Sequence, residues 1–106
     1  MERGSLVAAV FSRELGRPRP ALVIQSDDFQ LGMVALLPIT SHLQPGLSFR
    51  IDVLPTSGNG LKRRSQVMID RSQSVAITRI GKTIGRLDVE TQHRVDLMLS
   101  LFLGLA

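Results

Sequence analysis

Residues 47–53 read LSFRIDV, in which Leu, Phe, Ile and Val alternate with Ser, Arg and Asp. Successive side chains of a β-strand point to opposite faces of the sheet, so this period of two predicts a half-exposed strand. The segment PTSGNG at residues 55–60 follows almost at once and is typical of a turn that ends a strand. The stretch therefore predicts a protein built on a β-sheet.

Apolar runs on both sides of this stretch predict the other strands. Each run is short, rich in Val, Leu and Ile, and bounded by Gly, Pro or polar residues, which is typical of buried strands. The predicted strands are Leu6–Phe11, Ala21–Ile24, Met33–Ile39, Gln66–Ile69 and Val75–Ile80. Together with Leu47–Val53 they make about six short strands.

The C-terminal stretch changes to a helical period. Asp88 is a suitable N-cap, and Gly104 is a suitable stop. Between them, apolar side chains recur at the i, i+3, i+4, i+7 spacing of one helix face: Val95, Met98, Leu99 and Phe102. The sequence predicts a mainly β (α+β) fold in which an amphipathic C-terminal helix covers an open end or face of a small curled sheet.

The length of 106 residues, without repeats or linkers, predicts a single domain spanning 1–106. The absence of cysteine excludes a disulfide scaffold and a cysteine-ligated metal site. The start lacks the pattern of a signal peptide, and no apolar run is long enough to span a membrane. We therefore expect a cytoplasmic protein with no membrane contact.

The charge balance suggests what the protein binds. Thirteen basic residues face nine acidic ones, and eleven of the thirteen are arginine. Arginine binds phosphate and carboxylate groups with a planar fork and a permanent charge. This composition favours a nucleic acid or an acidic protein as partner, with a merely solvated basic surface as the alternative.

Five short motifs follow one another along nearly the whole chain. They are RG at 3–4, GRPRPALVI at 16–24, LPITS at 37–41, QVMID at 66–70 and IGRL at 84–87 before the helix. In this order and at this spacing they resemble the MazF/PemK toxins of bacterial toxin–antitoxin pairs, which share a fold with the CcdB toxins. No single motif is specific, and the resemblance depends on all five together.

The resemblance implies a small SH3-like β-barrel with a C-terminal helix, working as a homodimer. It implies a toxin that is an endoribonuclease (an mRNA interferase) cleaving single-stranded RNA without a metal or other cofactor. It also implies a cognate antitoxin protein that binds across the toxin and blocks it.

By resemblance, the catalytic residues are Arg19, Thr40 and Asp70. The substrate's own 2′-hydroxyl attacks the adjacent phosphate in such a reaction, so the protein supplies no nucleophile, and DNA is spared. Arg19 would stabilise the charge on the phosphoryl oxygens, Thr40 would donate a hydrogen bond to them, and Asp70 would act as the general base. The structural alternatives are a solvated loop arginine, a hydroxyl that satisfies backbone groups, and a carboxylate paired with a neighbouring arginine.

Further residues are expected to bind RNA. Arg13 and Arg17 share the first loop with Arg19, while Ser41 and His42 directly follow Thr40; Arg71 and Gln73 complete the predicted set. Met68 and Gln73 stand where some relatives carry basic residues, which leaves the acid–base assignment open. We interpret KRR at 62–64 as a solvated basic turn, with RNA or antitoxin contact as the alternative.

Two other readings of the chain stay open. The tail at 97–105, with Phe102 shortly before Gly104, faintly resembles the end of CcdB toxins and suggests a non-enzymatic DNA gyrase poison. The Arg-Pro motif and Thr40 argue against it. Met68 and Gln73 also leave room for a catalytically weakened toxin that keeps only antitoxin binding.

Overall fold

A computed structural model describes residues 1–11 and 16–106. Along these residues run seven strands and one C-terminal α-helix, which confirms the mainly β class but adds one strand to the predicted six. The elements are β1 Ser5–Ala9, β2 Arg19–Val23, β3 Met33–Thr40, β4 Arg50–Val53, β5 Ser65–Met68, β6 Gln73–Ala76, β7 Ile80–Arg86 and α1 Val89–Phe102. Two 3-10 helices, Ile69–Arg71 and Ile77–Arg79, flank β6.

The additional strand is β7. The sequence predicts one strand over Val75–Ile80, but the chain there ends β6, makes the 3-10 turn Ile77–Arg79 and only begins β7 at Ile80. Glycine is depleted in strands, so Gly81 and Gly85 concealed the strand pattern of residues 80–86. The prediction of a continuous strand was therefore wrong at this point.

All strand pairs are antiparallel, in the order β4-β5-β3-β2-β1-β7, and β6 also pairs with β3. β5 pairs with the end of β3, where Gln66 lies opposite Thr40, and β6 pairs with its beginning. Pro38 falls between these two ladders, beside the 3-10 helix Ile69–Arg71, where its missing N–H breaks neither of them.

Alternate residues of the central strands belong to different cores. Leu6, Leu22 and Leu37 pack in the cluster that α1 covers, whereas Val7 and Leu36 pack in a second cluster. Burial on both faces explains why these strands read as unbroken apolar runs instead of alternating.

Helix α1 begins and ends where the sequence predicts. The carboxylate of Asp88 accepts a hydrogen bond from the Thr91 amide at 3.1 Å, and this bond lowers the pKa of Asp88. Val95 is fully buried and Met98 and Leu99 are partly buried, but Phe102 is half exposed, so its predicted place in the core is wrong. Phe102 is the last helical residue and lies beyond the part of α1 that covers the core.

The loop between β4 and β5 reaches across to β7. The Arg86 amide donates to the Gly58 carbonyl at 2.8 Å, and a Cβ atom on Gly60 would overlap the Ile84 carbonyl. Since β4 and β7 are the two ends of the strand order, this loop joins the ends of an otherwise open sheet.

Candidate nucleic-acid interface

A cleft of about 650 Å³ opens where the β4–β5 loop meets the sheet. Its walls are the start of β2, the end of β3, residues 60–63 of the loop, the first residue of β5 and the middle of β7. The cleft therefore depends on segments from four widely separated parts of the chain.

The lining of the cleft is strongly basic. Among the described residues, the lining contains Arg19, Lys62, Arg63 and Lys82 and no acidic residue. In the part of the chain that the structure describes, Lys62, Arg63 and Lys82 make no ion pair. Four of the thirteen basic residues of the chain thus line one cleft.

Thr40 lies on the cleft at the end of β3. Its Oγ1 accepts a hydrogen bond from the His42 amide at 3.0 Å, which closes a tight turn. A hydroxyl has two acceptor lone pairs and one hydrogen, so this bond leaves the hydrogen of Thr40 free to be donated to a ligand. The predicted backbone role and the predicted ligand role are compatible in this geometry.

Gln66, opposite Thr40 on β5, fixes the loop that follows Thr40. Its Oε1 accepts from the Gln44 amide at 2.9 Å, and its Nε2 donates to Oδ1 of Asp52 at 2.8 Å. Gln66 is only 4% exposed, so these bonds are largely shielded from water. The position of the Thr40 turn is therefore set by the sheet beneath it.

Arg19 is the first residue of β2 and lies opposite Ala9 of β1. Its side chain is exposed and lines the cleft together with Pro18 and Pro20. Proline on both sides restricts the backbone at the point where the strand begins.

Of the other residues predicted from sequence, Ser41 also lines the cleft, whereas Arg17 and His42 are exposed outside its lining. Arg13 lies outside the described residues. The structure thus brings together Arg19, Thr40 and Ser41.

Asp70, Arg71 and Gln73 form a separate group outside the cleft lining. Gln66 is opposite Thr40, so Asp70 stands four residues further along, beside the middle of β3. Its carboxylate lies 3.7 Å from Nε of Arg50 and 3.4 Å from Nε of Arg71. The predicted pairing of Asp70 with a neighbouring arginine is present, and its predicted grouping with Arg19 and Thr40 is not.

Lys82 and Thr83 line the cleft but are absent from the sequence prediction. They belong to β7, the strand concealed by its two glycines. The β-branched residues Ile80, Thr83 and Ile84 of this segment were the signal that could have revealed the strand.

Nothing in the described ranges 1–11 and 16–106 groups three His, Cys, Asp or Glu side chains as a metal site. None of the helices in those ranges is long and apolar enough to cross a membrane.

Comparison with known proteins identifies the family. A family model described as PemK-like, MazF-like toxin of type II toxin–antitoxin system matches residues 2–103. The chain belongs to this toxin family. A relative named probable endoribonuclease MazF, from Mycolicibacterium smegmatis, is 35% identical over 108 aligned residues, which cover 100% of this chain and 99% of the relative.

Solved structures of MazF toxins have the same fold. Mycobacterium tuberculosis toxin MazF-mt6 superposes with a TM-score of 0.82 at 23% identity, covering 96% of this chain and 98% of its own. A MazE–MazF structure from Deinococcus radiodurans superposes with a TM-score of 0.79 at 26% identity, covering 98% and 96%. The cleft of this PemK/MazF-family chain is thus carried by a fold that MazF toxins share.

Proposed function

We propose that this toxin is a metal-independent endoribonuclease that cleaves single-stranded RNA in the cytoplasm. The observation that carries the proposal is the cleft whose lining brings together the Arg19 guanidinium, the Thr40 hydroxyl and three further cations. Family membership and the relative named as a probable endoribonuclease support it.

The proposed reaction uses the substrate's own 2′-hydroxyl as nucleophile, with solvent as the source of the proton for the leaving oxygen. The 2′-hydroxyl oxygen of the substrate bonds to the adjacent phosphorus, and the bond from phosphorus to the 5′-oxygen breaks. A proton leaves the 2′-oxygen and another is delivered to the 5′-oxygen, so the products are a 2′,3′-cyclic phosphate and a 5′-hydroxyl.

Arg19 and Thr40 act on the phosphoryl oxygens in this scheme. Charge accumulates on those oxygens as the fifth bond to phosphorus forms, and fixed donors stabilise it without reorganising. Because arginine stays protonated at all physiological pH values, Arg19 stabilises charge and transfers no proton. Thr40 is held by the His42 amide and donates its remaining hydrogen.

Asp70 remains our proposed general base, and Arg71 and Gln73 our proposed contacts to RNA outside the cleft. A general base must lie within hydrogen-bond reach of the proton that it removes. Asp70 is outside the cleft lining, so this assignment requires that a second copy of the chain bring its Asp70 to the bound RNA. Asp70→Asn then abolishes cleavage but leaves RNA binding intact.

The dimer is itself part of the proposal. Leu97, Leu101 and Phe102 of α1 are 61%, 51% and 50% exposed, which is a large apolar area for one short helix. We propose that a second copy covers it. Light scattering of the wild type is expected to give twice the chain mass and Leu97→Glu the chain mass, whereas a monomeric wild type at micromolar concentration would contradict the dimer.

A cognate antitoxin is the second proposed protein partner. The described MazE–MazF structure of Deinococcus radiodurans contains both proteins of such a pair. A basic cleft suits an acidic antitoxin segment as well as RNA, so we expect the two to compete.

The test is incubation of the purified protein with long single-stranded RNA in EDTA. We expect cleavage to 2′,3′-cyclic phosphate ends by the wild type, no cleavage of DNA of the same sequence, and a loss of about 100-fold or more for Arg19→Ala. Arg79→Ala, an exposed arginine outside the cleft lining, is the matched control.

Intact RNA with the wild type, or equal cleavage by Arg19→Ala, would contradict the proposal. Toxicity without RNA cleavage that disappears when residues 104–106 are removed would instead favour a gyrase poison.

A further inference from the structure

We infer that Lys62, Arg63 and Lys82 form a second phosphate-binding site beside Arg19 and Thr40, held ready by the folded β4–β5 loop. These three residues are called the cationic wall below. The ligand is a backbone phosphate of single-stranded nucleic acid flanking the one that is cut. The inference rests on the proposed function, since it assigns the wall to the same substrate.

The loop that carries Lys62 and Arg63 is ordered by its own hydrogen bonds. Asn59 is 2% exposed, and its Oδ1 accepts from the amides of Thr56 at 3.1 Å and Leu61 at 2.9 Å. Its Nδ2 donates to the Leu54 carbonyl at 2.9 Å. One buried side chain therefore ties together the beginning, middle and end of the turn.

The same loop is anchored on β7. Gly60 has a φ of 71°, which favours glycine, and Gly85 lies so close to Asn59 that a Cβ atom would overlap its backbone. Leu61 is buried in the core, and Lys62 and Arg63 follow it directly. Lys62 and Arg63 thus lie one and two residues from a fixed point, and Lys82 belongs to the strand on which the loop is docked.

The charges of the wall have no counter-ion within the described residues. Its three cations line a cleft to which the described residues contribute no carboxylate, and they take part in no described ion pair. Like charges held together repel one another, and a bound anion relieves that repulsion. Preorganisation matters here, because a fixed site avoids the entropy cost of ordering side chains on binding.

The lining favours a nucleic-acid backbone over an acidic peptide. Peptides usually gain affinity from apolar anchors in pockets, but Ile39 and Leu61 of the lining are only 4% and 8% exposed, which leaves Pro18, Pro20 and Ile84 as its accessible apolar side chains. The described lining contains no aromatic residue on which a base could stack. Its accessible polar groups are cations and hydroxyls, which are the groups that contact phosphates.

The test measures binding of a fluorescent single-stranded DNA oligonucleotide, which lacks the 2′-hydroxyl and is not cut, by anisotropy across a series of salt concentrations. Each wall substitution, Lys62→Ala, Arg63→Ala or Lys82→Ala, is expected to weaken binding and reduce the slope of log K against log salt by about 0.7. Arg64→Ala is the matched control: it removes the same charge from the same loop, but Arg64 is outside the cleft lining, and we expect an unchanged slope.

A second variant separates charge from positioning. Asn59→Ala keeps every cation but removes the bonds that order the loop, so we expect weaker binding with an unchanged salt slope. Thermal unfolding checks that the variant is folded, and Lys82→Ala, which leaves the loop untouched, tests the wall if it is not.

An equal change of slope for Arg63→Ala and Arg64→Ala would overturn the inference, because the loop would then be a diffuse basic surface. Unchanged slopes in all three wall variants would overturn it as well. Tighter binding of a polyglutamate peptide than of the oligonucleotide would assign the wall to an acidic protein instead. Since the DNA ligand is not cleaved, an intact RNA substrate would contradict the proposed function without affecting this result.

Discussion

The cleft and the contact between the N-terminus and α1 use arginine in contrasting ways. Arg3 donates to both carboxylate oxygens of Asp96, at 2.7 and 3.3 Å, and to the Ile24 carbonyl at 2.9 Å. Gln92 donates a further bond to Asp96 at 2.9 Å. The cationic wall, by comparison, forms no ion pair with any carboxylate of the described residues.

This difference shows that the presence or absence of a neighbouring carboxylate, more than the residue type, decides whether an arginine stabilises the fold or can bind a ligand. Burial opposes ionisation of Asp96, but the hydrogen bonds from Arg3 and Gln92 outweigh it and lower the pKa of the carboxyl. The charge of Arg3 is neutralised by Asp96 in the contact that holds α1 to the N-terminus. The charges of Lys62, Arg63 and Lys82 have no such partner among the described residues and are available to a ligand.

Thr40→Val is expected to have the largest effect, because it removes both the hydroxyl donor proposed for the ligand and the acceptor of the His42 amide that closes the turn. We expect single-turnover RNA cleavage to fall about 100-fold. Thr78→Val, an exposed threonine outside the cleft, should keep wild-type cleavage. Similar cleavage rates for the two variants would show that the cleft is not the site of RNA cleavage.

Gly60→Ala tests whether the cleft depends on the docked loop. The new Cβ would overlap the Ile84 carbonyl in a backbone conformation that disfavours side chains, so we expect a loss of about 3 kcal/mol in the free energy of unfolding. Gly46→Ala has a similar φ of 83° but open space around it, and should lose only about 1 kcal/mol in urea unfolding. Equal losses of unfolding free energy in the two variants would mean that the β4–β5 loop does not pack closely against β7.

Asp96→Asn tests the paired end. With the side chains of Arg3 and Asp96 33% and 39% exposed, solvent screening limits the expected loss of unfolding free energy to about 1 kcal/mol at neutral pH. The folded-state pKa is lowered, so the ionised carboxylate stabilises the protein above the ordinary value of 3.8, and this contribution is lost as pH falls below it.

The gap between wild type and Asp96→Asn should therefore close in acid, as followed by urea unfolding at several pH values. A gap that stayed constant down to strongly acidic pH would show that the charge of Asp96 is irrelevant. Asp28→Asn, in an exposed turn, serves as the control.

Glu2→Gln is expected to have the smallest effect. Glu2 and Arg86 lie 4.0 Å apart with side chains 75% and 58% exposed, and such pairs contribute less than about 0.5 kcal/mol. A melting temperature within error of the wild type is expected. A clear drop in melting temperature would mean that the Glu2–Arg86 pair stabilises the protein although it is exposed to solvent.

The elements predicted correctly from the sequence are those that local residue patterns determine. Apolar runs revealed the strands that are buried on both faces, and Asp88 marked the start of α1 through a single local bond. β7 was missed because its glycines serve a distant contact: Gly85 makes room for the backbone of Asn59. No local pattern can report a constraint imposed by Asn59, which is 26 residues away in the sequence.

The candidate site follows the same division. Arg19, Thr40 and Ser41 were found because short motifs contain them, and the structure brings them together. Lys82 was missed along with its strand. Asp70 lies outside the cleft because β5 runs antiparallel to β3, so the residues after Gln66 lie progressively further from Thr40. A single sequence does not reveal this register.

The bridge from the β4–β5 loop to β7 has a consequence for the order in which the protein is assembled. Residues 58–60 must meet residues 84–86, so the cleft closes only through contacts that are distant along the chain and slow to form. During synthesis the ribosome exposes Arg19 and Thr40 long before β7. A nascent or partly folded toxin would thus carry its reactive groups without their basic enclosure, and we expect toxicity to begin only once folding is complete.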